Sequence, residues 1–240
     1  MAPMIQRAAD RVATATDWLT SAHSFSFGDH YDPSNTHHGS LMVHNEDTIA
    51  AGQGFDTHPH AETEIVTWVL SGSLVHQDSE GNSGIIHPGL AQRMSAGTGI
   101  LHSERNDRPE AADPVHLIQM WVWPDENGLE PGYEQRDISA DLTAGSLVPV
   151  ASGDPSHDSA IRIANSGATL YAVRLNAGGS NTIPTGLFTH LFVTTGSITV
   201  DAYRLDTADA LRATDFGGTT IRAITDAEVL IWSMSKRLGQ

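Results

Sequence analysis

The sequence contains no cysteine, which excludes disulfide bonds and thiolate zinc sites and leaves the redox compartment unconstrained. It also lacks an apolar run long enough to span a bilayer, and residues 1–10 have no apolar core like that of a secretory signal. We therefore expect a cytoplasmic protein with no membrane association. With 240 residues, 39% of them hydrophobic, the chain can bury one large core or two smaller ones, and we expect two lobes.

Basic residues are scarce in this chain. Lys and Arg together number 13, against 29 Asp and Glu, which gives a formal net charge of −16. Affinity for phosphate backbones comes mainly from clustered Lys and Arg, and the basic residues here form no stripe. The composition thus argues against direct nucleic-acid binding. The acidic charge serves solubility, and it leaves contact with a DNA-binding protein partner open.

Two short sequence pairs, His58-x-His60 and His102-x-Glu104, are the most informative feature of the chain. Side chains two residues apart on a β-strand point to the same face, so each pair can aim two ligands in one direction. Two such strands side by side would place three imidazoles and one carboxylate around one ion. We predict a mononuclear metal site. Glu64 has the same parity as His60 and competes with Glu104 for the fourth ligand position.

The segments around the first pair alternate between β-forming runs and turns. Residues 65–70 are β-branched and aromatic, and Ser71-Gly72-Ser73 is a turn. Further turns are predicted at 78–82 and 87–89. Short strands separated by turns are typical of a β-barrel or sandwich, so we expect an all-β chain.

A second lobe is indicated after a stretch of small, turn-forming residues at 151–156, which suits a linker. Thr195-Gly196-Ser197 repeats the earlier turn in a similar strand–turn–strand setting, which suggests a duplicated barrel. Four runs in this half have the composition of strands: 170–175, 191–193, 197–200 and 229–232.

The second half of the chain does not repeat the metal-ligand pattern. It contains His157 and His190 but no His-x-His pair. We therefore predict a metal-binding lobe over residues 1–145 and a degenerate lobe without metal ligands over residues 146–240. The degenerate lobe is expected to have a structural or interface role.

The remaining histidines and tryptophans carry weaker signals. His37 and His38 lie in a turn-rich loop, and we expect them to be solvated. Aromatic residues on barrel strands usually belong to the core. Of Trp68, Trp121 and Trp123, we favour Trp68 for a pocket wall because it has the parity of the first histidine pair. Three further histidines have no partner pattern and are predicted to be structural: His76, His87 and His116.

The spacing of the first pair resembles the first motif of the cupins, small β-barrels that hold a metal inside. Five residues separate Gly52 from His58-x-His60, three residues separate His60 from Glu64, and Gly72 stands one position late. A His-x-Glu pair departs from ordinary cupins, whose second motif usually supplies one histidine. With the flanking runs 23–31 and 119–122, this segment is similar to the pirin family, specifically its shorter bacterial members. The resemblance extends from around residue 17 to 138 and implies a bicupin with two jelly-roll barrels.

In pirins both members of each pair are metal ligands. The resemblance therefore implies one set of ligands: His58, His60, His102 and Glu104. It assigns Glu64 to a supporting position, where its carboxylate would accept a hydrogen bond from a ligand histidine. Ala61 stands where many members have arginine, so the role of that arginine is not carried over.

Ligand chemistry narrows the metal to one divalent transition ion, because calcium and magnesium prefer oxygen ligands throughout. Iron is implied by the family, with zinc, manganese, copper, nickel and cobalt as alternatives. Four protein ligands on an octahedral ion leave two positions free, for a substrate and for dioxygen. The resemblance implies a flavonol 2,3-dioxygenase with quercetin as the test substrate. Glu104 or Glu64 would take the proton of the substrate 3-hydroxyl group.

Three alternatives remain open at the level of sequence. The chain could be a non-enzymatic, metal-binding regulator that acts through a protein partner, as the mammalian branch of the family is thought to do. The ion could be structural zinc in a closed tetrahedral site. Finally, the enzyme could act on a small aromatic substrate other than a flavonol.

Overall fold

The fold is nearly all β, which confirms the predicted class. The computed structural model describes residues 2–109 and 113–238, and its helical structure in those ranges is a 3-10 turn at Ala8–Asp10. No helix in this part of the chain is both long and apolar enough to cross a membrane.

The strands are short and are joined mainly by turns, as the alternation of β-branched runs with Gly-rich segments predicts. In the first half of the described chain they are β1 (Met4–Gln6), β2 (Val12–Ala15), β3 (Leu19–His23), β4 (Leu41–Ile49), β5 (Gly54–His60), β6 (Glu64–Ser71), β7 (Leu74–Asp78), β8 (Ser83–Ile86), β9 (Leu90–Ser95), β10 (Ile100–Arg105), β11 (Val115–Val122) and β12 (Gly132–Asp137). In the second half they are β13 (Leu147–Ser152), β14 (Ile161–Arg162), β15 (Ala168–Leu175), β16 (Ser180–Thr182), β17 (Phe188–Thr195), β18 (Ser197–Val200), β19 (Tyr203–Asp206), β20 (Ala210–Thr214), β21 (Thr220–Ala223) and β22 (Ala227–Met234).

The first lobe consists of two facing sheets. A seven-stranded sheet has the order β12-β9-β6-β11-β4-β3-β2, and a four-stranded sheet has the order β5-β10-β7-β8. Apolar side chains of both sheets, such as Val69 and Leu117 from the large one and Leu74 and Ile86 from the small one, form a common cluster between them. The lobe is therefore a jelly-roll barrel, and β5 and β10 lie next to each other in its small sheet.

The second lobe repeats this arrangement. Its large sheet has the order β1-β20-β17-β22-β15-β13-β14, and its small sheet has the order β16-β21-β18-β19. The interior is filled with apolar side chains such as Val173, Leu191, Val193 and Ile231. Strands β16 and β21, the counterparts of β5 and β10, carry no histidine or carboxylate. This lobe has the barrel of the first without its candidate ligands.

The two lobes pack through their large sheets. Val66 and Met120 of the first lobe join Leu170, Phe192 and Trp232 of the second in one buried cluster. The first strand of the chain also crosses between lobes, because β1 pairs antiparallel with β20. Burial of this large apolar face fixes the relative position of the barrels, and the interior of the first lobe lies on the opposite side of its large sheet.

Candidate metal centre and cavity

Three histidines converge at the small sheet of the first lobe, as the spacing predicts. Strands β5 and β10 pair antiparallel with His102 directly opposite His58. His58 and His60 are two residues apart on β5 and so point to the same face. One ligand nitrogen from each of the three rings lies within 4.8 Å of the others. The ring centroids are 4.4 Å apart for His58 and His102, and 5.0 Å apart for His60 and His102.

The surroundings of two of the three imidazoles, His60 and His102, favour the neutral form that binds a cation. Burial, with the nearby charges of His58 and His60, lowers the pKa of His102 to about 2. Burial and the charge of His58 lower the pKa of His60 to about 4. Nδ1 of His58 lies 2.7 Å from the carbonyl oxygen of Asp56, so this nitrogen donates the proton and Nε2 keeps its lone pair.

Glu104 approaches the same cluster from β10. The register of the β5–β10 ladder shifts between His102 and Glu104, so the carboxylate does not follow simple alternation from the histidine. Its Oε2 accepts a hydrogen bond of 2.8 Å from Nε2 of Gln119. Burial raises the pKa of Glu104 to about 7 despite that bond, and the charge of Asp47 adds to the rise. Glu104 also lies within 4.8 Å of ligand atoms on His102 and His76.

Glu64 does not reach this cluster. Its carboxylate accepts a hydrogen bond of 2.7 Å from Ser95 and lies near Arg93. The expected parity with His60 is lost because the chain between β5 and β6 turns through Glu62, which has a left-handed φ of 53°. Glu64 consequently points to the same side of β6 as Trp68, toward the second lobe.

The residue types and their environment fit a transition metal. Imidazole and carboxylate together are the donor set of iron, nickel, zinc and their neighbours. Nε2 of His102 is buried and has no hydrogen-bond partner among the described residues. A buried nitrogen without a partner is costly, and a bound cation would satisfy it.

A cavity of about 420 Å³ opens beside the cluster, within the size range of small-molecule sites. His58, His60 and Glu104 line one part of it. Its apolar walls are formed by Leu19, Phe27, Phe55 and Trp121. The polar lining includes Thr14, Ser21, His23, Asn45 and Asp47. Rings therefore flank the candidate metal centre, and hydrogen-bonding groups lie along the same cavity.

The preference for Trp68 as a pocket wall is wrong. Trp68 is buried between the lobes, where its indole N–H donates to Glu228 across 3.0 Å. Trp121 takes the position at the cavity, with its ring centroid 4.8 Å from that of His60. The same turn through Glu62 that redirects Glu64 also reverses the expected orientation of Trp68.

Two positions that matter at the site, Gln119 and His76, were given no role at the site from sequence. Trp121 donates its indole N–H to Oε1 of Gln119 across 3.0 Å, which leaves the Gln119 amide N–H₂ facing Glu104. His76 was expected to be structural, yet its Nδ1 lies 3.5 Å from Nδ1 of His102. The His76-x-Asp78 spacing on β7 is the one signal that could have found it.

The histidines of the turn-rich loop lie away from the candidate centre. His37 is exposed, as expected for a solvated residue. His38 is half-buried instead, with its Nε2 3.1 Å from the carbonyl oxygen of Ala213 in the second lobe. The loop therefore contacts the second lobe.

Two jelly-roll lobes with one histidine cluster define a bicupin with a single candidate metal centre in the described residues. Residues 6–122 match the family described as Pirin, and residues 149–234 match the family described as Quercetinase C-terminal cupin domain. The chain belongs to the pirin family.

Individual relatives cover nearly the whole chain. A protein of Mycobacterium tuberculosis (strain ATCC 25618 / H37Rv), provisionally named a quercetin 2,3-dioxygenase, is 54% identical over 98% of this chain and 96% of its own length. The quercetin 2,3-dioxygenase of Escherichia coli (strain K12) is 38% identical over 96% of this chain and 97% of its own length. The crystal structure of the bacterial pirin YhhW from Escherichia coli in complex with nickel(II) is similar with a TM-score of 0.89, at 35% identity, over 98% of this chain and 100% of that one.

Proposed function

We propose that the chain is a metal-dependent dioxygenase of the pirin type that opens the ring of flavonols such as quercetin. One observation carries the proposal: ligand nitrogens of His58, His60 and His102 lie within 4.8 Å of one another, and the buried Glu104, which comes within 4.8 Å of His102, lines the same aromatic-walled cavity of about 420 Å³. The names of the relatives support the same activity. The cavity supports it further, because a purely structural ion would need no space beside it.

The proposed cofactor is one divalent transition metal, with iron as the ion used for the reaction. His58, His60, His102 and Glu104 are the proposed ligands. When bound, the metal would coordinate the substrate 3-hydroxyl group, lower its pKa, and exchange electrons with the substrate and dioxygen. The nickel complex of the pirin YhhW supports a transition-metal site but leaves the choice of iron to experiment.

Glu104 is the proposed acceptor of the substrate proton. Its carboxylate is buried, lies at the cavity wall and accepts a hydrogen bond of 2.8 Å from the Gln119 amide. A carboxylate positioned in this way can act as a general base toward a substrate hydroxyl group. Gln119 would hold the carboxylate in place while the proton moves. Glu64 has no part in this proposal, since Ser95 holds it on the other side of β6.

The cavity lining suits a flat, hydroxylated aromatic molecule. The Phe27 ring lies at 5.6 Å from that of Trp121 in an edge-on arrangement, and Phe55 forms part of another wall. Such rings pack well against aromatic faces. Asn45 lies among the polar lining groups, with its Oδ1 3.0 Å from Nδ1 of His23, and its amide N–H₂ could donate to a ring hydroxyl.

Metal analysis combined with a quercetin assay tests the proposal. The wild-type chain, loaded anaerobically with iron, should bind one ion and consume quercetin only after oxygen is admitted. His58→Ala should lose both properties, whereas His37→Ala, which changes an exposed histidine of the loop, should keep both. Bound iron with no oxygen-dependent loss of quercetin would reject the flavonol proposal. That result would favour another aromatic substrate or the metal-dependent regulator that binds a protein partner.

A further inference from the structure

His76 occupies a buried position on the strand next to the candidate ligands. Strand β10 lies between β5 and β7, and in the β7–β10 ladder Glu104 stands opposite His76, while His102 stands opposite Asp78. The His76 side chain is fully buried. Its Nδ1 lies 3.5 Å from Nδ1 of His102, so one proton can be shared between the two rings.

The other nitrogen of His76 faces a carboxylate. Nε2 lies 3.2 Å from Oδ2 of Asp78. Asp78 also accepts hydrogen bonds from the backbone N–H groups of Glu80 and Asn82, at 3.0 and 2.9 Å. A carboxylate that accepts several donors is held in the ionised form and offers only acceptor sites. Nε2 of His76 must therefore carry the proton of that ring.

The proton positions of the next ring follow from this one. A neutral His76 protonated on Nε2 has a lone pair on Nδ1, which can only accept. Nδ1 of His102 must then be the donor between the two rings. Protonation of His102 on Nδ1 leaves its Nε2 with a free lone pair, and this is the buried nitrogen that lacks any partner among the described residues.

We propose that His76, oriented by Asp78, is a positioning residue that fixes the tautomer of His102 so that Nε2 of His102 is ready to bind the metal. The proposal rests on the metal centre of the proposed function but not on its dioxygenase chemistry. Partners of this kind typically strengthen metal binding by 10- to 100-fold.

The surroundings of His76 hold its ring in one plane. Tyr133 stacks on it with a centroid distance of 4.8 Å and an interplanar angle of 25°. The Tyr133 hydroxyl in turn donates to Gln135 across 2.9 Å. A ring fixed by stacking on one side and a carboxylate at one end has little freedom to flip. The tautomer of His102 is thus set before any metal arrives.

A direct ligand role is the competing interpretation for His76. Ligand atoms of His76, His102 and Glu104 lie within 4.8 Å of one another. Both nitrogens of His76 already have partners, however, whereas Nε2 of His102 has none. The hydrogen bonds therefore favour support of His102 over direct coordination.

The first arm of the test examines the metal-free protein. Long-range proton–nitrogen NMR spectra of ¹⁵N-histidine-labelled protein report which nitrogen of each ring carries the proton. The wild-type chain should show His102 protonated on Nδ1 and His76 protonated on Nε2. His76→Phe, which removes the acceptor, should shift His102 toward the other tautomer. Wild-type His102 protonated mainly on Nε2 would overturn the proposal.

The second arm measures Ni²⁺ affinity by competition with a chelator. His76→Phe should bind Ni²⁺ about 10- to 100-fold more weakly than wild type. His76→Gln should recover most of the loss because its amide oxygen can accept from His102. His87→Phe, at the turn after β8, should bind like wild type. Equal affinity of wild type and His76→Phe would refute the proposal, and complete loss without rescue by Gln would show a direct ligand.

Failure of the metal centre itself is distinguishable from failure of this inference. If wild type and His58→Ala bind Ni²⁺ equally, the proposed ligand set is wrong. The tautomers in the spectra of the metal-free protein still test whether His76 fixes the proton position on His102. If His76→Phe does not fold, the wild-type spectra and His76→Gln still test it.

Discussion

Replacement of Glu104 by Gln separates proton transfer from metal binding. The amide has nearly the shape of the carboxylate, and its oxygen can still accept from Gln119 across the 2.8 Å contact. It cannot take up the proton of the substrate hydroxyl. Three imidazoles remain to hold the metal. We therefore expect Glu104→Gln to lose turnover far more completely than it loses metal.

The size of the effect follows from the role assigned to the carboxylate. A positioned general base contributes about 10²- to 10⁴-fold to a rate. This corresponds to roughly 3–5 kcal/mol of transition-state stabilisation. The fall should appear in kcat, because the cavity walls proposed to bind the flavonol are unchanged.

The assay pairs two measurements on one preparation. Iron per chain is determined by elemental analysis, and quercetin loss is followed by absorbance before and after oxygen is admitted. Glu80→Gln is the matched control, since it makes the same exchange at an exposed turn of the first lobe. Parallel loss of iron and turnover in Glu104→Gln would reject the base role, as would full activity.

Two further predictions concern the network at the cavity and the interface between lobes. Trp121→Phe keeps a ring beside His60 but loses the N–H that orients Gln119, so kcat should fall about fivefold, and an unchanged kcat would contradict this. Burial lowers the pKa of His44 to about 3, so its contribution to stability is complete above pH 6.5 and is lost as pH falls toward 3. The unfolding free energy of the metal-free protein can be measured with urea at several pH values between 6.5 and about 4. We expect it to depend on pH less steeply in His44→Leu than in wild type, by about 1.4 kcal/mol per pH unit. The same pH dependence in both proteins would contradict this prediction.

The histidine cluster could be predicted because it depends on alternation within single strands. His58 and His60 share a face on β5, and His102 stands opposite His58 on β10. The duplicated barrel was predictable for a similar reason, since each strand carries its own β-branched pattern and the turn at residues 71–73 recurs at residues 195–197. The shared face of His58 and His60 and the recurring turn need only local information, whereas the pairing of β5 with β10 had to be assumed.

Predictions that carried parity across a connection were wrong. The left-handed residue Glu62 reverses the expected direction of Glu64 and Trp68, so both point toward the second lobe instead of the metal centre. Parity holds only while the ladder is regular. The residue types at 61–63 do not predict a left-handed residue at this position.

Contacts between strands that are distant in the chain could not be predicted from the sequence either. The pairing of β1 with β20 brings residues 4–6 into the sheet of the second lobe. His44 and His190, from different lobes, meet with ring centroids 4.6 Å apart at the interface. The role of His76 likewise depends on β7 and β10 being neighbours. Such contacts follow from topology, which local patterns do not specify.

The most direct test of the central claim is the iron content and oxygen-dependent quercetin turnover of wild type beside His58→Ala. The account predicts one iron per wild-type chain, quercetin loss that begins only when oxygen is admitted, and loss of both in the variant. Iron retained by His58→Ala would contradict the ligand assignment. Iron bound by wild type without any oxygen-dependent loss of quercetin would contradict the proposed reaction.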